Sequence, residues 1–288
     1  MIRLIPPVPV GETSTLGIGV FDGLHLGHQE IIRRSDALLT FYPHPDTILG
    51  KADIRYLTVL DEMRLLGHRV YVMDFDDHVA KMPANDFLDY AVRNAIGPKR
   101  IVVGADFHFG HKKSGNVDTL KTWAAQCGIE VEVVPLLEDE GRVIKSSKIR
   151  MMLENGEVEA AARDMGRPYL MTGTVVHGDG RGKSLGFPTA NIEVDPLKLV
   201  PLPGVYSGTV TLNNALTPAM IYIGTKPTFS DTHDTVIEVF LPDHDENLYG
   251  KTLQVWISHR LRGDQKFDNK EALVAQIQAD IKAAESLH

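Results

Sequence analysis

The first half of this chain is organised around the segment Gly17-Ile-Gly-Val-Phe-Asp-Gly-Leu-His-Leu-Gly-His28. Residues 16–21 are apolar and β-prone, which predicts a short strand, and Asp22-Gly23 is typical of a turn. Residues 29–34 can then continue as a helix. The segment therefore predicts a strand, a tight turn and a helix, in that order.

Two histidines stand where that helix begins. His25 and His28 are three residues apart, so their imidazoles can face the same way, and Gly27 between them lets a ligand approach the backbone. A phosphate suits this position, because a helix N-terminus has unpaired N–H groups and imidazoles can donate hydrogen bonds to phosphoryl oxygens. A metal-binding pair and two surface histidines are the alternatives, and for an isolated H-x-x-H motif either would be preferred.

The residues around the two histidines decide between these interpretations. The segment resembles the HxGH signature of the nucleotidylyltransferase superfamily, and its Phe-Asp-Gly turn is similar to that of the bacterial bifunctional riboflavin kinase/FMN adenylyltransferases, or FAD synthetases. The resemblance implies that His25 and His28 are catalytic. It also implies ATP contacts along the whole segment, at Gly19, Phe21, Asp22, Gly23, His25, Gly27 and His28.

Size and charge limit the classes of protein to which the chain can belong. It has 288 residues, a formal net charge of −8 and one cysteine, Cys127. The length suits two domains, each with its own core. Nucleic-acid coats and proteins of anionic membranes need a basic surface, so the negative charge argues against both. A single cysteine excludes an intramolecular disulfide framework and a cysteine-based zinc site.

Apolar runs long enough for a membrane are absent from the sequence. No run approaches the roughly 18 residues of a membrane span. Pro6, Pro7 and Pro9 interrupt the opening residues before a signal-peptide helix can form. We therefore expect a soluble, cytoplasmic protein with neither a membrane nor a nucleic acid as partner.

Strands and helices alternate through the first half of the chain. The pattern predicts strands at 16–21, 37–41, 69–75, 100–104 and 129–135, and helices at 58–66, with Thr58 as its N-cap, 84–96 and 117–127. Such alternation predicts a parallel sheet covered on both faces, as in a Rossmann-like nucleotidylyltransferase domain, with ligands at the carboxyl ends of the strands.

Two further segments of this half resemble the family. Gly104-Ala-Asp-Phe-His-Phe-Gly110 is similar to its Gly-x-Asp/Asn-Phe-x-Phe-Gly loop, which implies that Asp106 binds ATP and Phe107 binds flavin. Lys145-Ser-Ser-Lys-Ile-Arg150 opens a helix that a serine can cap. It resembles the family's Ser-Ser-Thr-x-Ile-Arg, one residue shorter, which implies ATP-phosphate contacts from Ser146, Ser147 and Arg150.

The second half has a different period. Short β-prone runs at 169–177, 191–194, 204–212, 219–224, 235–241 and 251–260 precede one helix at 269–287. Closely spaced strands without intervening helices predict a compact antiparallel barrel with the terminal helix packed on it. We therefore expect an α/β domain over residues 1–166 and a β-barrel domain over residues 167–288.

The segment between His177 and Asn191 is the most informative of this half. Gly182-Lys-Ser184 does not complete a Walker A motif, because the glycine required five positions earlier is replaced by His177. The segment instead resembles the riboflavin kinase signature, with its Gly-x-Gly-Arg loop and Leu-Gly-Phe-Pro-Thr-Ala-Asn. The resemblance implies ATP binding by Gly178, Gly180, Arg181 and Lys183, and binding of Mg²⁺ and phosphate by Thr189 and Asn191.

The same resemblance implies a general base and flavin contacts. Glu238 stands at the family position of the base that takes the proton from the riboflavin 5′-hydroxyl, a role that contributes roughly 10² to 10⁴-fold in rate. Glu238 and Arg262 are the implied flavin contacts of the barrel. The chain would then phosphorylate riboflavin to FMN with ATP and Mg²⁺, and adenylylate FMN to FAD with a second ATP, releasing pyrophosphate.

Three alternatives compete with this interpretation. The first keeps only the kinase active, with the adenylyltransferase site decayed at the short segments 33–37 and 146–149. The second is a flavin carrier or sensor without catalysis, against which Glu238, Thr189 and Asn191 argue. The third gives the first domain another phosphate substrate, such as phosphopantetheine, against which the attached kinase signature argues.

Overall fold

The structure is a computed structural model that describes residues 4–5, 13–50, 54–65, 67, 69–178, 182, 185–226, 234–242, 244 and 246–287. Contacts divide the chain into two compact units, Met1–Ser146 and Ser147–His288. Each unit has the fold class that the sequence predicts, an α/β unit followed by a β-barrel unit.

A six-stranded sheet forms the centre of the first unit, in the order β1-β4-β3-β2-β5-β6. The five strands β2 to β6 run parallel, as predicted, and β1 pairs antiparallel with β4 at one edge. Their bounds are Leu4–Ile5 (β1), Thr15–Ile18 (β2), Ala37–Tyr42 (β3), Arg69–Asp74 (β4), Arg100–Gly104 (β5) and Glu130–Val134 (β6).

Apolar side chains cover both faces of this sheet. Leu38 and Val102 belong to one buried cluster, and Leu39 and Ile101 belong to the other. Successive residues of a strand point to opposite faces, so a strand that is covered on both sides must be apolar at neighbouring positions. The continuous apolar runs of the sequence are therefore the signature of a sheet buried between two layers.

Helices connect the parallel strands. They are Leu26–Arg33 (α1), Pro45–Ile48 (α2), Leu60–Arg64 (α3), Asp77–Ala80 (α4), Ala84–Asp86 (α5), which continues as a π-helix over Phe87–Asn94, and Val117–Cys127 (α6). A small hairpin of Glu138–Asp139 (β7) and Arg142–Val143 (β8) follows the sheet. The sequence patterns missed α2, α4 and this hairpin, because each of the two helices has four residues and each strand of the hairpin has two.

The predicted helix at 58–66 is wrong at its start. The helix begins at Leu60, and the Thr58 hydroxyl does not cap it but accepts a hydrogen bond from the Gly23 N–H at 3.1 Å. The Glu62 carboxylate accepts from the Val59 N–H at 3.3 Å instead. Threonine is a suitable N-cap by residue type, but the Thr58 hydroxyl oxygen is used in the hydrogen bond to the distant Gly23.

A closed barrel forms the second unit, with the strands in the order β10-β13-β12-β11-β14-β9 and antiparallel pairing throughout. The bounds are Tyr169–Val176 (β9), Thr189–Val194 (β10), Gly204–Leu212 (β11), Ala215–Lys226 (β12), Asp234–Phe240 (β13) and Thr252–Gly263 (β14). Helices of this unit that lie wholly within the described residues are Ser146–Glu154 (α7), whose first residue ends the first unit, Val158–Met165 (α8) and Lys270–Glu285, the C-terminal helix.

Side chains alternate between the inside and the outside of the barrel. Ile221, Ile223 and Val239 are at most 1 % exposed and fill the interior, whereas Tyr222 and Glu238 are only partly buried and lie on the outer face. This period of two is the one expected of β-strands that have one face inside a barrel.

The predicted boundary after residue 166 stays a prediction. Contacts group α7 and α8 with the barrel, because α8 packs against β14 and β9. The Glu159 carboxylate of α8 accepts a hydrogen bond from the Arg260 N–H of β14 at 2.9 Å. The two divisions therefore differ by these two helices.

Candidate active sites

The segment after β2 is a strained turn. Phe21 and Leu24 have φ of 56° and 46°, and Gly23 has φ of 89°. Non-glycine residues with positive φ cost about 1 kcal/mol or more each, and they persist where packing enforces them. Phe21 is fully buried beside Ile31 and Val102, so its side chain holds the turn against the sheet.

Asp22 joins this turn to two other segments. Its carboxylate Oδ1 accepts hydrogen bonds from the Leu57 N–H at 2.8 Å and the Thr58 N–H at 3.0 Å, and its carbonyl accepts from the Ser146 hydroxyl at 2.7 Å. The side chain is 4 % exposed. Asp22 thus orders the backbone around the site, and its predicted contact with ATP stays a prediction.

The two histidines form one stacked pair. His25 is the N-cap of α1, and its Nδ1 accepts a hydrogen bond from the His28 N–H at 3.3 Å. The imidazoles stack at 3.7 Å between centroids and 17° between planes. His25 is 7 % exposed, while His28 lines a cavity. The proton of a neutral His25 must then be on Nε2, because Nδ1 is the acceptor.

Gly27 makes space for a side chain of the protein itself. A Cβ built on Gly27 would lie 3.2 Å from Cε1 of His25. The sequence predicts that a ligand approaches the backbone at this glycine, and the structure shows that the His25 ring occupies part of that space.

A cavity of about 840 Å³ opens at the carboxyl ends of β2 and β5. A ligand site of 300–1,000 Å³ is usual for molecules of drug or nucleotide size. Of the predicted site residues, Gly19, Phe21, His28, Asp106 and Phe107 line it. These residues come from two separate segments that the parallel sheet brings to one edge.

Aromatic rings form one wall of this cavity. Phe107 stacks on Phe109 at 5.2 Å, Phe109 lies 5.7 Å from Phe87, and Phe41 lies 6.0 Å from Phe87 and 5.9 Å from Phe75. All five rings line the cavity. Such a wall can bind a flat aromatic ligand by stacking.

Lysines line the same cavity, and motif analysis missed them. Lys81, Lys112 and Lys113 are among its lining residues. Lys112 and Lys113 have φ of 52° and 58°, so both carry the strain that often marks a functional loop. A signal was present, because two adjacent lysines stand one residue after a glycine-aromatic loop in an acidic protein.

The remaining histidines near the site mostly make structural contacts. His44 Nδ1 accepts from the Asp46 N–H at 3.2 Å and caps α2. His108 Nδ1 lies 2.7 Å from the Asp106 carbonyl, and His111 Nδ1 lies 3.2 Å from the Ala80 carbonyl. His108 and His111 nevertheless line the cavity.

The two short segments keep their secondary structure. Residues 19–36 hold the whole helix α1 between the parallel strands β2 and β3. The serine segment begins α7 at Ser146, and Ser147 and Arg150 follow in its first two turns. The predicted phosphate contacts of Ser146, Ser147 and Arg150 stay predictions.

A second group of predicted residues meets on the outer face of the barrel. The Thr189 hydroxyl of β10 donates a hydrogen bond to Oε2 of Glu238 on β13 at 3.1 Å. Asn191 is directly opposite Glu238 in the strand register. Side chains two apart on a strand share a face, so Thr189, Asn191 and Glu238 form one cluster.

The loop before β10 approaches this cluster closely. A Cβ on Gly178 would lie 2.0 Å from Nδ2 of Asn191, so only glycine fits there. A Cβ on Gly182 would lie 3.1 Å from the Thr189 hydroxyl oxygen. The predicted ATP contacts Gly180, Arg181 and Lys183 lie outside the described residues.

Arg262 is engaged in an ion pair. Its Nε donates to Asp280 Oδ1 at 3.1 Å and its Nη2 donates to Oδ2 at 2.8 Å, and Asp280 is 4 % exposed. Gln276 Nε2 donates to the same carboxylate at 2.8 Å. The C-terminal helix therefore holds the guanidinium, and its predicted flavin contact stays a prediction.

The oxygen donors of the barrel cluster suit a hard cation. Across the ranges that the structure describes, no three His, Cys, Asp or Glu side chains are grouped as a metal site. The predicted ligands Thr189 and Asn191 offer a hydroxyl and an amide oxygen, and the Glu238 carboxylate lies beside them. Mg²⁺ prefers few protein oxygens completed by water and substrate phosphates, so the donor set fits it.

Family comparisons agree with this arrangement in both halves. A family model described as FAD synthetase matches residues 9–148, and one described as riboflavin kinase matches residues 165–288.

No helix within the described part of the chain is both long and apolar enough to cross a membrane.

Similar proteins of nearly full length carry both activities in their names. A bifunctional riboflavin kinase/FMN adenylyltransferase of Listeria monocytogenes is 34% identical, over 97% of this chain and 95% of its own. The protein of the same name from Bacillus subtilis is 33% identical over 94% and 91%, and that of Escherichia coli is 30% identical over 93% and 91%. A solved structure from Streptococcus pneumoniae, described as a macrolide-efflux protein, has a TM-score of 0.86 and 31% identity, covering 96% of this chain and 95% of that one.

Proposed function

Because this chain belongs to the family of bifunctional riboflavin kinase/FMN adenylyltransferases, we propose that its two reactions take place at the two sites described above. The chain phosphorylates riboflavin to FMN with ATP, and it adenylylates FMN to FAD with a second ATP, releasing pyrophosphate. Both family models match it, so the kinase-only alternative is not favoured, nor are a carrier without catalysis and a transferase for another substrate.

Adenylyl transfer is assigned to the cavity of the first unit. The aromatic wall, including Phe107, receives the flavin ring, and the helix mouth with His28 receives the triphosphate. A phosphate oxygen of FMN attacks the α-phosphorus of ATP, the bond to the β-phosphate oxygen breaks, and pyrophosphate leaves. His28 donates a hydrogen bond where negative charge grows, which is the usual source of stabilisation in such transfers.

His25 supports this step by positioning its neighbour. It is buried below His28, stacks on it and caps the helix that carries it. The cavity lysines Lys112 and Lys113 add positive charge for the phosphates in a protein with a net charge of −8.

Riboflavin phosphorylation is assigned to the cluster on the barrel. The Thr189 hydroxyl orients the Glu238 carboxylate through Oε2, which leaves Oε1 to accept the proton of the riboflavin 5′-hydroxyl. The hydroxyl oxygen then bonds to the γ-phosphorus of ATP, and ADP leaves. Thr189 and Asn191 would hold Mg²⁺, which neutralises phosphate charge when it is bound.

The observation that carries this assignment is the pairing of Glu238 with Thr189 and Asn191 on one face of the barrel. Gly178 lies beside this cluster, and the Asn191 side chain occupies the space that a Cβ on Gly178 would need. No covalent intermediate is needed, since positioning and charge stabilisation suffice for phosphoryl transfer.

Two variants test the two sites separately. Wild type, His28→Ala and Glu238→Gln are incubated with ATP and Mg²⁺ plus either riboflavin or FMN, and the flavins are separated by chromatography. His28→Ala should make FMN but no FAD, and Glu238→Gln should make FAD from FMN but lose about 10²-fold or more in riboflavin phosphorylation.

His78→Ala removes an exposed histidine of the same unit and serves as the control. If His28→Ala loses both activities in parallel, or Glu238→Gln still phosphorylates riboflavin at the wild-type rate, the assignment of the two sites is wrong.

A further inference from the structure

A row of outward-facing residues crosses three neighbouring strands of the barrel. Asn191 on β10 is opposite Glu238 on β13, and Glu238 is opposite Tyr222 on β12. The flanking residues Ile221 and Ile223 are fully buried in the barrel, so Tyr222 lies on the same outer face as Glu238. Tyr222 was not among the predicted site residues.

The direction of phosphoryl transfer distinguishes the two sides of Glu238. In an in-line displacement the acceptor oxygen and the leaving oxygen lie on opposite sides of the transferred phosphorus. Thr189 and Asn191, the proposed phosphate side, lie on β10, so the acceptor alcohol extends the other way, over β12. Neighbouring strands are about 4.8 Å apart, a distance that a ribityl chain spans.

Beyond Tyr222, the next position of this row is buried. Val205 of β11 is opposite Tyr222 and is 3 % exposed, and the C-terminal helix packs against β11 and β14. Within the described part of the barrel, Tyr222 is therefore the neighbour of Glu238 that an acceptor on this side meets.

The Tyr222 ring is held in a defined position. Its hydroxyl donates to Oδ1 of Asp264 at 3.2 Å. A Cβ on Gly224 would lie 2.3 Å from the same hydroxyl oxygen, so the ring lies along its own strand over a glycine. Burial, the Asp264 carboxylate and the Glu238 carboxylate raise the pKa of the Tyr222 phenol to about 12, against the opposing effect of Arg262.

We propose that Tyr222, held by Asp264, positions the acceptor of the kinase reaction by accepting a hydrogen bond from a ribityl hydroxyl of riboflavin. A neutral phenol that donates to a carboxylate keeps its oxygen lone pairs for a second partner. The contact sets the 5′-hydroxyl at Glu238, and it favours polyol acceptors over simple alcohols. The inference rests on the proposed role of Glu238 as the base.

The test compares Tyr222→Phe with wild type in steady-state riboflavin phosphorylation. The phenylalanine keeps the ring and removes only the hydroxyl, so the KM for riboflavin should rise about threefold to tenfold, as expected for one lost hydrogen bond. We expect kcat and the KM for ATP to stay within about twofold of wild type, since neither the base nor the phosphate side has changed.

Riboflavin analogues that lack one ribityl hydroxyl each identify the contact. For one analogue, the KM with wild type should equal the KM of riboflavin with Tyr222→Phe. The KM of that same analogue should not rise further in Tyr222→Phe. Asp264→Asn should raise the riboflavin KM in the same direction, and the double variant should show less than the sum of both effects.

Two controls separate a positioning role from damage to the fold. FAD formation from FMN reports on the other unit, and Tyr90→Phe removes the hydroxyl of an exposed tyrosine there. FAD formation from FMN should be unchanged in Tyr222→Phe, and riboflavin phosphorylation should be unchanged in Tyr90→Phe. Tyr222→Trp adds bulk at the proposed acceptor side and should abolish riboflavin phosphorylation while FAD formation from FMN persists.

The inference fails if Tyr222→Phe leaves the riboflavin KM and the ranking of the analogues unchanged, or if the KM values for riboflavin and ATP rise together. Glu238→Gln makes this failure distinguishable from failure of the proposed function. A Glu238→Gln variant without kinase activity together with an unaffected Tyr222→Phe overturns only the role of Tyr222, whereas an active Glu238→Gln variant overturns the site itself.

Discussion

At the scale of single residues, several side chains of the histidine turn serve mainly to hold others in place. His25 caps α1 and stacks on His28, and Asp22 accepts hydrogen bonds from Leu57 and Thr58. Gly27 has no Cβ where the His25 ring lies. The motif thus encodes one histidine that faces the cavity and a set of residues that fix its position, which matters because small misplacements slow a transfer strongly.

Gly27→Ala tests this reading of the motif. Alanine stabilises a helix by about 1 kcal/mol relative to glycine, so thermal stability should stay the same or rise. The new Cβ, 3.2 Å from the His25 ring, displaces that ring and with it His28, so FAD formation from FMN should fall on the order of tenfold.

The measurement is the adenylylation rate beside the melting temperature, with Arg33→Ala at the exposed end of the same helix as control. Wild-type adenylylation in Gly27→Ala would show that the His25 ring has no bearing on the reaction.

At the scale of elements, the C-terminal helix is attached to the barrel by a buried ion pair. Arg262 of β14 binds Asp280 through two nitrogen atoms, and Gln276, one turn earlier on the helix, binds the same carboxylate. Two parallel N–H···O contacts fix the angle of the guanidinium as well as its distance. The pair therefore sets where the helix lies against β14.

Asp280→Ala should lower the free energy of unfolding of the second unit by about 3 kcal/mol, because it leaves the Arg262 guanidinium largely buried without its carboxylate. Urea unfolding, followed by the fluorescence of the barrel tryptophan Trp256, measures the change. Glu285→Ala, an exposed acid on the same helix, should change stability by less than about 0.5 kcal/mol. Equal effects of the two variants would mean that the ion pair does not attach the helix.

At the scale of the whole molecule, two units with different periods of hydrophobicity each contain most of one family match. The parallel sheet of the first unit needs connecting helices, whereas the antiparallel barrel of the second is built from hairpins and closes on itself. The FAD synthetase match ends at residue 148 and the riboflavin kinase match begins at residue 165, so most of α7 and α8 lies between the two matches.

Two fragments test to which unit these helices belong. Residues 147–288 keep α8, whose Val158, Ala161 and Met165 are buried, and residues 167–288 lack it. The longer fragment should be more stable by at least about 2 kcal/mol, since burying one valine or methionine side chain contributes roughly 1.5–3 kcal/mol.

Denaturant midpoints and riboflavin kinase rates of both fragments measure this. Equal midpoints would favour the boundary after residue 166 that the sequence predicts, and would show that α8 adds nothing to the barrel.

The sequence by itself determined the type and order of most elements. The predicted helix 117–127 and strand 204–212 have the bounds found in the structure, and the fold class follows from the alternation of helices and strands in one half and of strands alone in the other. Hydrophobic period is a local property, so a short window of residues contains it. The motifs that resemble the two families are likewise short runs of neighbouring residues.

Only the tertiary structure decided which side chains face a ligand and which hold the protein together. Asp22 meets Thr58 across 36 residues and Asp280 meets Arg262 across 18, while Tyr222 reaches Asp264 across 42. Such partners depend on strand register and on the packing of distant segments, which no local pattern encodes. The physical reason is that a side chain's role is set by the neighbours that folding brings to it, and those neighbours lie far away along the chain.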